Sequence, residues 1–214
     1  MSAFDAAAAH GYPIELDVHV TADAEIVVFH DGDLRRMTGT TGRVADHTLA
    51  RLQQLRLDDT EDRIPSLAQV LELVDARVPI VVELKSDGAA GVLEEATRDV
   101  LAGYQGELAV QSFNPRSLAW FRRHVPTLPR GLLASDFSDE DLPTYQKVLL
   151  RRLALAPWVA PDYIGYALGC LPYWPVSLLR RAGVPVVAWT IRTAADAARA
   201  ALVADNMIFE NIRP

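Results

Sequence analysis

Apolar and polar residues alternate with a period of two along residues 13–21, and an apolar run closed by His30 occupies 25–30. That pattern predicts two half-buried strands, with TADAE as the turn between them. The period then breaks down. Residues 32–63 are polar and dotted with glycine, and read as loop with one short helix from Leu49. From Ser66 the spacing becomes helical: Leu67, Val70, Leu71 and Val74 form one stripe, and Ser66 with Gln69 has the spacing of a capping box.

The same switch between periods recurs to the end of the chain. PIVVELK predicts a strand ending at Lys85, followed by a helix over 89–102, and ELAVQSF predicts a strand before a helix opened by Asn114 and Pro115. RGLLAS is a further strand. Ser138, with Asp139, Glu140 and Asp141, predicts an acidic helix start. DYIGYAL, VPVVAWT and NMIFE complete the strands, and Thr193 with Asp196 caps the helix between the last two.

Repeated strand–helix units predict an α/β fold with a parallel sheet. A doubly wound sheet fits that alternation as well. A TIM-type (β/α)8 barrel is preferred because polar residues fall at the C-terminal ends of the strands: Asp17, His30, Lys85, Ser112, Thr190 and Glu210. The expectation is a single domain over residues 1–214, with 32–63 as a loop-rich insertion. The chain is short for a barrel and opens on a helix, so the barrel is expected to lack its first strand.

Composition narrows the partners. Half of the 214 residues are apolar and the formal net charge is −7, which argues against nucleic-acid binding. No apolar run is long enough for stable membrane insertion. Cys170 is the only cysteine, so no intrachain disulfide forms, and a cytoplasmic location is expected.

The candidate chemistry lies on the strands. Glu15, Asp17 and His19 share one face of the first strand, and Ile14, Leu16, Val18 and Val20 share the other. The acidic face is either solvated or built around a positive charge. Glu83 and Lys85, together on one face of a later strand, shift the balance. Three carboxylates from two strands form an oxygen-rich set suited to Mg²⁺ or Ca²⁺. Lys85 serves as counter-ion to Glu83, as a point charge for a phosphate oxygen, or as both. His30 ends an apolar strand beside Asp31, where an imidazole can move protons near neutral pH. His10, His47 and His124 fall on helical or loop stretches and are read as surface residues.

ELDVHVTADAEIVVFHDGDLRRMTGTTGRV resembles the signature of glycerophosphodiester phosphodiesterases. IPSL, VELK, QSF, VVAWT and IFENIRP follow in that family's order. The resemblance covers essentially the whole chain and is most specific from Glu15 to Gly42. It implies a TIM-barrel enzyme that uses Mg²⁺ or Ca²⁺ to hydrolyse glycerophosphodiesters to glycerol 3-phosphate and an alcohol. It further implies Glu15, Asp17 and Glu83 as metal ligands, His30 as a catalytic residue and Lys85 as a phosphate contact. Phe113 and Trp189 would wall the glycerol pocket, although both also suit ordinary core packing.

The family's opening strand, with a His-Arg-Gly motif, has no counterpart here. AHGYPIELD does not replace it, because His10-Gly11 lies too close to Glu15 and ends a helix. Three alternatives follow: a barrel that binds metal or phosphate without turnover, a related phospholipid or sphingolipid phosphodiesterase, and a metal-assisted enolising barrel with Lys85 as base. An open barrel seam would also leave strand edges for a homo-oligomer.

Overall fold

In a computed structural model, which describes every residue except Asp87 and Pro214, the chain forms two compact units, Met1–Leu128 and Pro129–Pro214. The first opens with a helix, Ser2–Ala9, which ends where Gly11 turns the chain at φ +73°. Strand β1 (Ile14–Val20) and β2 (Ile26–Val28) follow as an antiparallel hairpin across the TADAE turn, with Val18 opposite Val28. β3 (Ile80–Leu84) pairs parallel with β1, and β4 (Leu108–Ser112) pairs parallel with β3, so the order is β2-β1-β3-β4.

The aliphatic face of β1 is buried as the alternation requires. Ile14, Leu16 and Val18 are at most 4% exposed, and they pack with Ile80, Val82 and the stripe Leu67, Val70, Leu71 and Val74. Each such side chain contributes roughly 1.5–3 kcal/mol of apolar burial. That helix spans Leu67–Val74 and has the expected capping box: Gln69 N donates to Ser66 Oγ, and Ser66 N donates to the Gln69 side chain. Helices Val92–Leu101 and Pro115–His124 follow β3 and β4, the latter capped by Asn114. A buried hydrogen bond from Ser117 Oγ to Glu94 Oε1 (2.5 Å) joins them.

Residues 32–63 are more ordered than their polarity predicts. They carry short helical turns at Arg35–Thr38, Val44–Asp46 and Leu49–Leu52. Leu34, Val44, Leu52 and Leu55 pack with Val27, Phe29 and Ile64 into a separate small core. Widely spaced apolar residues converge there, and no period in the sequence announces it.

The second unit repeats the strand–helix unit with every strand pair parallel. Its strands are β5 (Arg130–Ala134), β6 (Tyr163–Ala167), β7 (Val186–Ile191) and β8 (Asn206–Phe209), in that order. Gly165 sits opposite Leu133, and a Cβ there would lie 2.3 Å from that leucine's Cδ2, so any larger residue would displace the leucine side chain. Thr193 and Asp196 form the expected capping box of helix Ala194–Val203.

The helix expected at Ser138 does not start there. Ser138 donates from both N and Oγ to Asp136 Oδ1, each at 3.0 Å, closing a turn. The helix begins at Thr144 instead. Pro143 holds Leu142 away from helical backbone angles, and that steric rule outweighs the acidic start signal. Among the described residues, no helix is long and apolar enough to cross a membrane.

Candidate active site

The parallel register of the first unit places Asp17, Glu83 and Gln111 in one row across β1, β3 and β4. Glu15 lies two residues before Asp17 on the same face of β1, and its Oε1 accepts a 3.0 Å hydrogen bond from Gln111 Nε2. One carboxylate oxygen from each of Glu15, Asp17 and Glu83 lies within 4.8 Å of the others. Lys85, the residue after β3, reaches back into this group: its Nζ is 2.8 Å from Asp17 Oδ1 and 2.6 Å from Glu83 Oε1. Its backbone N donates to Val18 O, which continues the ladder and aims the side chain along the row.

Three acids in a half-buried setting strain one another electrostatically. Burial, and then the nearby charges of Asp17 and Glu83, push the Glu15 carboxyl up to about 8. Burial also raises Glu83, with Asp17 adding to the effect and Lys85 opposing it. For Lys85, burial by itself favours the neutral amine, but Glu83 and Asp17 outweigh it and leave the ammonium more strongly protonated than usual. Fully ionised, the cluster has three negative charges against one positive. The formal excess equals the charge of one divalent cation, and all the acidic donors are hard oxygens.

His30 stands beside this row. Phe29 N donates to Asp17 O, so the chain leaves β2 alongside the middle of β1, next to Asp17, and His30 is close enough to enter the electrostatics of Glu83. Its ring is 68% exposed, and Nδ1 lies 2.7 Å from Asp31 Oδ1. Ser112, the last residue of β4, donates from Oγ to Leu84 O at 2.8 Å, tying the strand ends together.

Thus the first unit brings together Glu15, Asp17, Glu83 and Lys85, with His30 at their edge. His19 shares the acidic face of β1, and its Nε2 lies 3.3 Å from His30 O. Phe113 follows directly on β4 and is half-buried. Trp189 belongs to the second unit, half-buried on β7 opposite Ala167. His10 and His124 are exposed on helix ends, while His47 is half-buried. Sequence reasoning passed over Gln111 and Arg36. Gln111 is legible only once the register places it beside Glu83, because alternation reveals the face of a residue but not its cross-strand neighbours.

The profile of the Glycerophosphoryl diester phosphodiesterase family matches residues 1–210. The Bacillus subtilis protein YhdW is 29% identical over 194 residues, covering 87% of this chain and 76% of its own. A glycerophosphodiester phosphodiesterase of Caldanaerobacter subterraneus subsp. tengcongensis is 28% identical over 199 residues, with the same two coverages. Among solved structures, an Oleispira antarctica phosphodiesterase in complex with the product sn-glycerol-3-phosphate has a TM-score of 0.82 at 23% identity, covering 97% of this chain and 85% of that one. The α/β fold of TIM-barrel type expected from the polar residues at the strand ends is therefore the fold of this chain.

Proposed function

The chain belongs to the glycerophosphoryl diester phosphodiesterase family, and from that premise we propose that it hydrolyses glycerophosphodiesters to glycerol 3-phosphate and an alcohol, using Mg²⁺ or Ca²⁺. The observation that carries this reading is the convergence of Glu15, Asp17 and Glu83 on one point with Lys85 between two of them. The donor set fits the cation. Its oxygens are hard, and its formal charge excess matches. A bound divalent ion polarises phosphoryl oxygens and stabilises charge developing at phosphorus.

The side chains divide the remaining work. Glu15, Asp17 and Glu83 would hold the ion. Lys85, between Asp17 and Glu83, offers its ammonium to a phosphate oxygen as a point charge. His30, exposed at the edge of the row, gives a proton to the departing alkoxide or takes one from the attacking oxygen. Phe113, directly after β4, is assigned to a wall of the glycerol pocket. Residues 1–214 act as one catalytic domain, and the family match across both units supports this. The single cysteine supports a reducing, cytoplasmic setting.

The test incubates the purified chain with glycerophosphocholine and Mg²⁺ or Ca²⁺ and measures released glycerol 3-phosphate, beside a chelated control and His30→Ala. The expected result is cation-dependent release, lowered by about 10²–10⁴-fold in the variant, with cation binding unchanged by calorimetry. Cation binding without release would favour a ligand-binding barrel. Faster cleavage of lysophospholipid or sphingomyelin vesicles would move the substrate to lipids. Full activity in His30→Ala would remove that residue from the mechanism.

A further inference from the structure

Asp31 contacts more than His30. Arg36 grips it with two donors: Nε to Oδ2 at 2.6 Å and a terminal Nη to Oδ1 at 2.9 Å. Oδ1 is also the atom 2.7 Å from His30 Nδ1. A forked guanidinium–carboxylate pair fixes both oxygens in direction as well as in charge. Through hydrogen bonds from Arg36, Asp31 is held down to about 2, so it is an acceptor at any working pH.

The segment carrying Arg36 is built to hold still. Arg36 lies in the turn Arg35–Thr38, directly after Leu34, which is 0% exposed in the small core of the 32–63 segment. Leu34 N donates to Gly42 O, Val44 N donates to Gly32 O, and Thr38 Oγ1 donates to Leu34 O. Phe29, beside His30 in sequence, is buried in that same core. The ring and its clamp thus rest on one packed platform.

We infer that Asp31 and Arg36 are positioning residues for His30: Asp31 accepts from Nδ1–H and fixes that tautomer, and Arg36 fixes Asp31, so that Nε2 is the nitrogen that exchanges the proton. In a neutral imidazole one nitrogen donates and the other accepts, and the hydrogen bond at one decides the state of the other. As general acid, the imidazolium breaks its Nε2–H bond, the proton joins the leaving alkoxide oxygen, and neutral Nδ1–H imidazole remains. As base, Nε2 takes the proton in the reverse sense. Arg36 also gives the 32–63 segment a purpose, as the support that brings a cation to the back of the His30–Asp31 pair. This inference rests on His30 having the role proposed above.

Nitrogen-15 NMR of the His30 ring tests it directly, in the full chain with chelator at pH about 9, where an ordinary imidazole is neutral. The wild-type ring should be Nδ1–H. In Asp31→Ala it should relax to a mixture of tautomers, with Arg36→Ala intermediate and Arg36→Lys closer to wild type. In parallel, kcat on glycerophosphocholine should fall about 10–100-fold in Asp31→Ala and less in Arg36→Ala, with KM nearly unchanged, inside the limit set by removing the imidazole itself. A wild-type ring protonated at Nε2 would overturn the inference, as would variants that leave tautomer and kcat unchanged. A merely structural role would lower the melting temperature without altering the tautomer of the folded protein. A wild-type ring in the Nδ1–H state in a chain that turns over no phosphodiester would overturn the phosphodiesterase reading and leave the clamp supported.

Discussion

Glu15 should cost this protein stability, and the cost should depend on pH. An ordinary Glu carboxyl ionises near 4.5, whereas folding pushes this one up to about 8. Between those values the unfolded chain gives up a proton that the folded chain keeps. The unfolded state is therefore favoured increasingly as pH rises from about 4.5 to about 8, and the penalty then levels off. At about 1.4 kcal/mol per tenfold, the full penalty is roughly 5 kcal/mol, with about 2–3 kcal/mol of it falling between pH 6 and pH 9. Glu15→Gln removes the charge, keeps nearly the same volume and leaves an oxygen to accept from Gln111. In chelator the variant should therefore be more stable than wild type, by a margin that grows from pH 6 to pH 9. Urea unfolding followed by far-ultraviolet circular dichroism at each pH reads this directly. Saturating Ca²⁺ should narrow the margin, because a cation at a hundred times its Kd adds about 2.7 kcal/mol to the form that binds it, about half of the full penalty. Parallel pH profiles for the two proteins in chelator would refute the argument, and so would an equal cation response.

Lys85→Met leaves Asp17 and Glu83 without their ammonium. In chelator it should destabilise the chain by about 3 kcal/mol, the lower end for breaking a buried pair, with part recovered on adding Mg²⁺ and turnover lost. Leu34→Ala opens the small core under Arg36. It should cost about 2–5 kcal/mol in urea unfolding and should lower kcat further than its loss of folded protein explains. Ser66→Ala removes one half of a capping box far along the chain from His30, and should cost about 1 kcal/mol in urea unfolding.

Much of this was legible in the residues themselves. A period of two on β1 separates Ile14, Leu16 and Val18 from Glu15 and Asp17, because side chains on a strand must alternate. Capping at Ser66, Asn114 and Thr193 is equally local: the side chain satisfies a backbone N–H two or three residues away. Where two local signals compete, reading by residue type fails. The acidic run after Ser138 lost to the steric demand of Pro143 two residues further on.

By itself, then, the sequence determined the strands, most of the longer helices, their order and the acidic faces of β1 and β3, since those follow from contacts within a few residues. Only the tertiary structure decided the partners. Register set Glu83 beside Asp17 and Gln111 beside Glu83, with Lys85 between two carboxylates. Packing of Leu34, Val44 and Leu52 turned a polar, aperiodic stretch into the support for Arg36. These depend on residues brought together by the burial of apolar surface that others share, and no local period records which distant surfaces will meet.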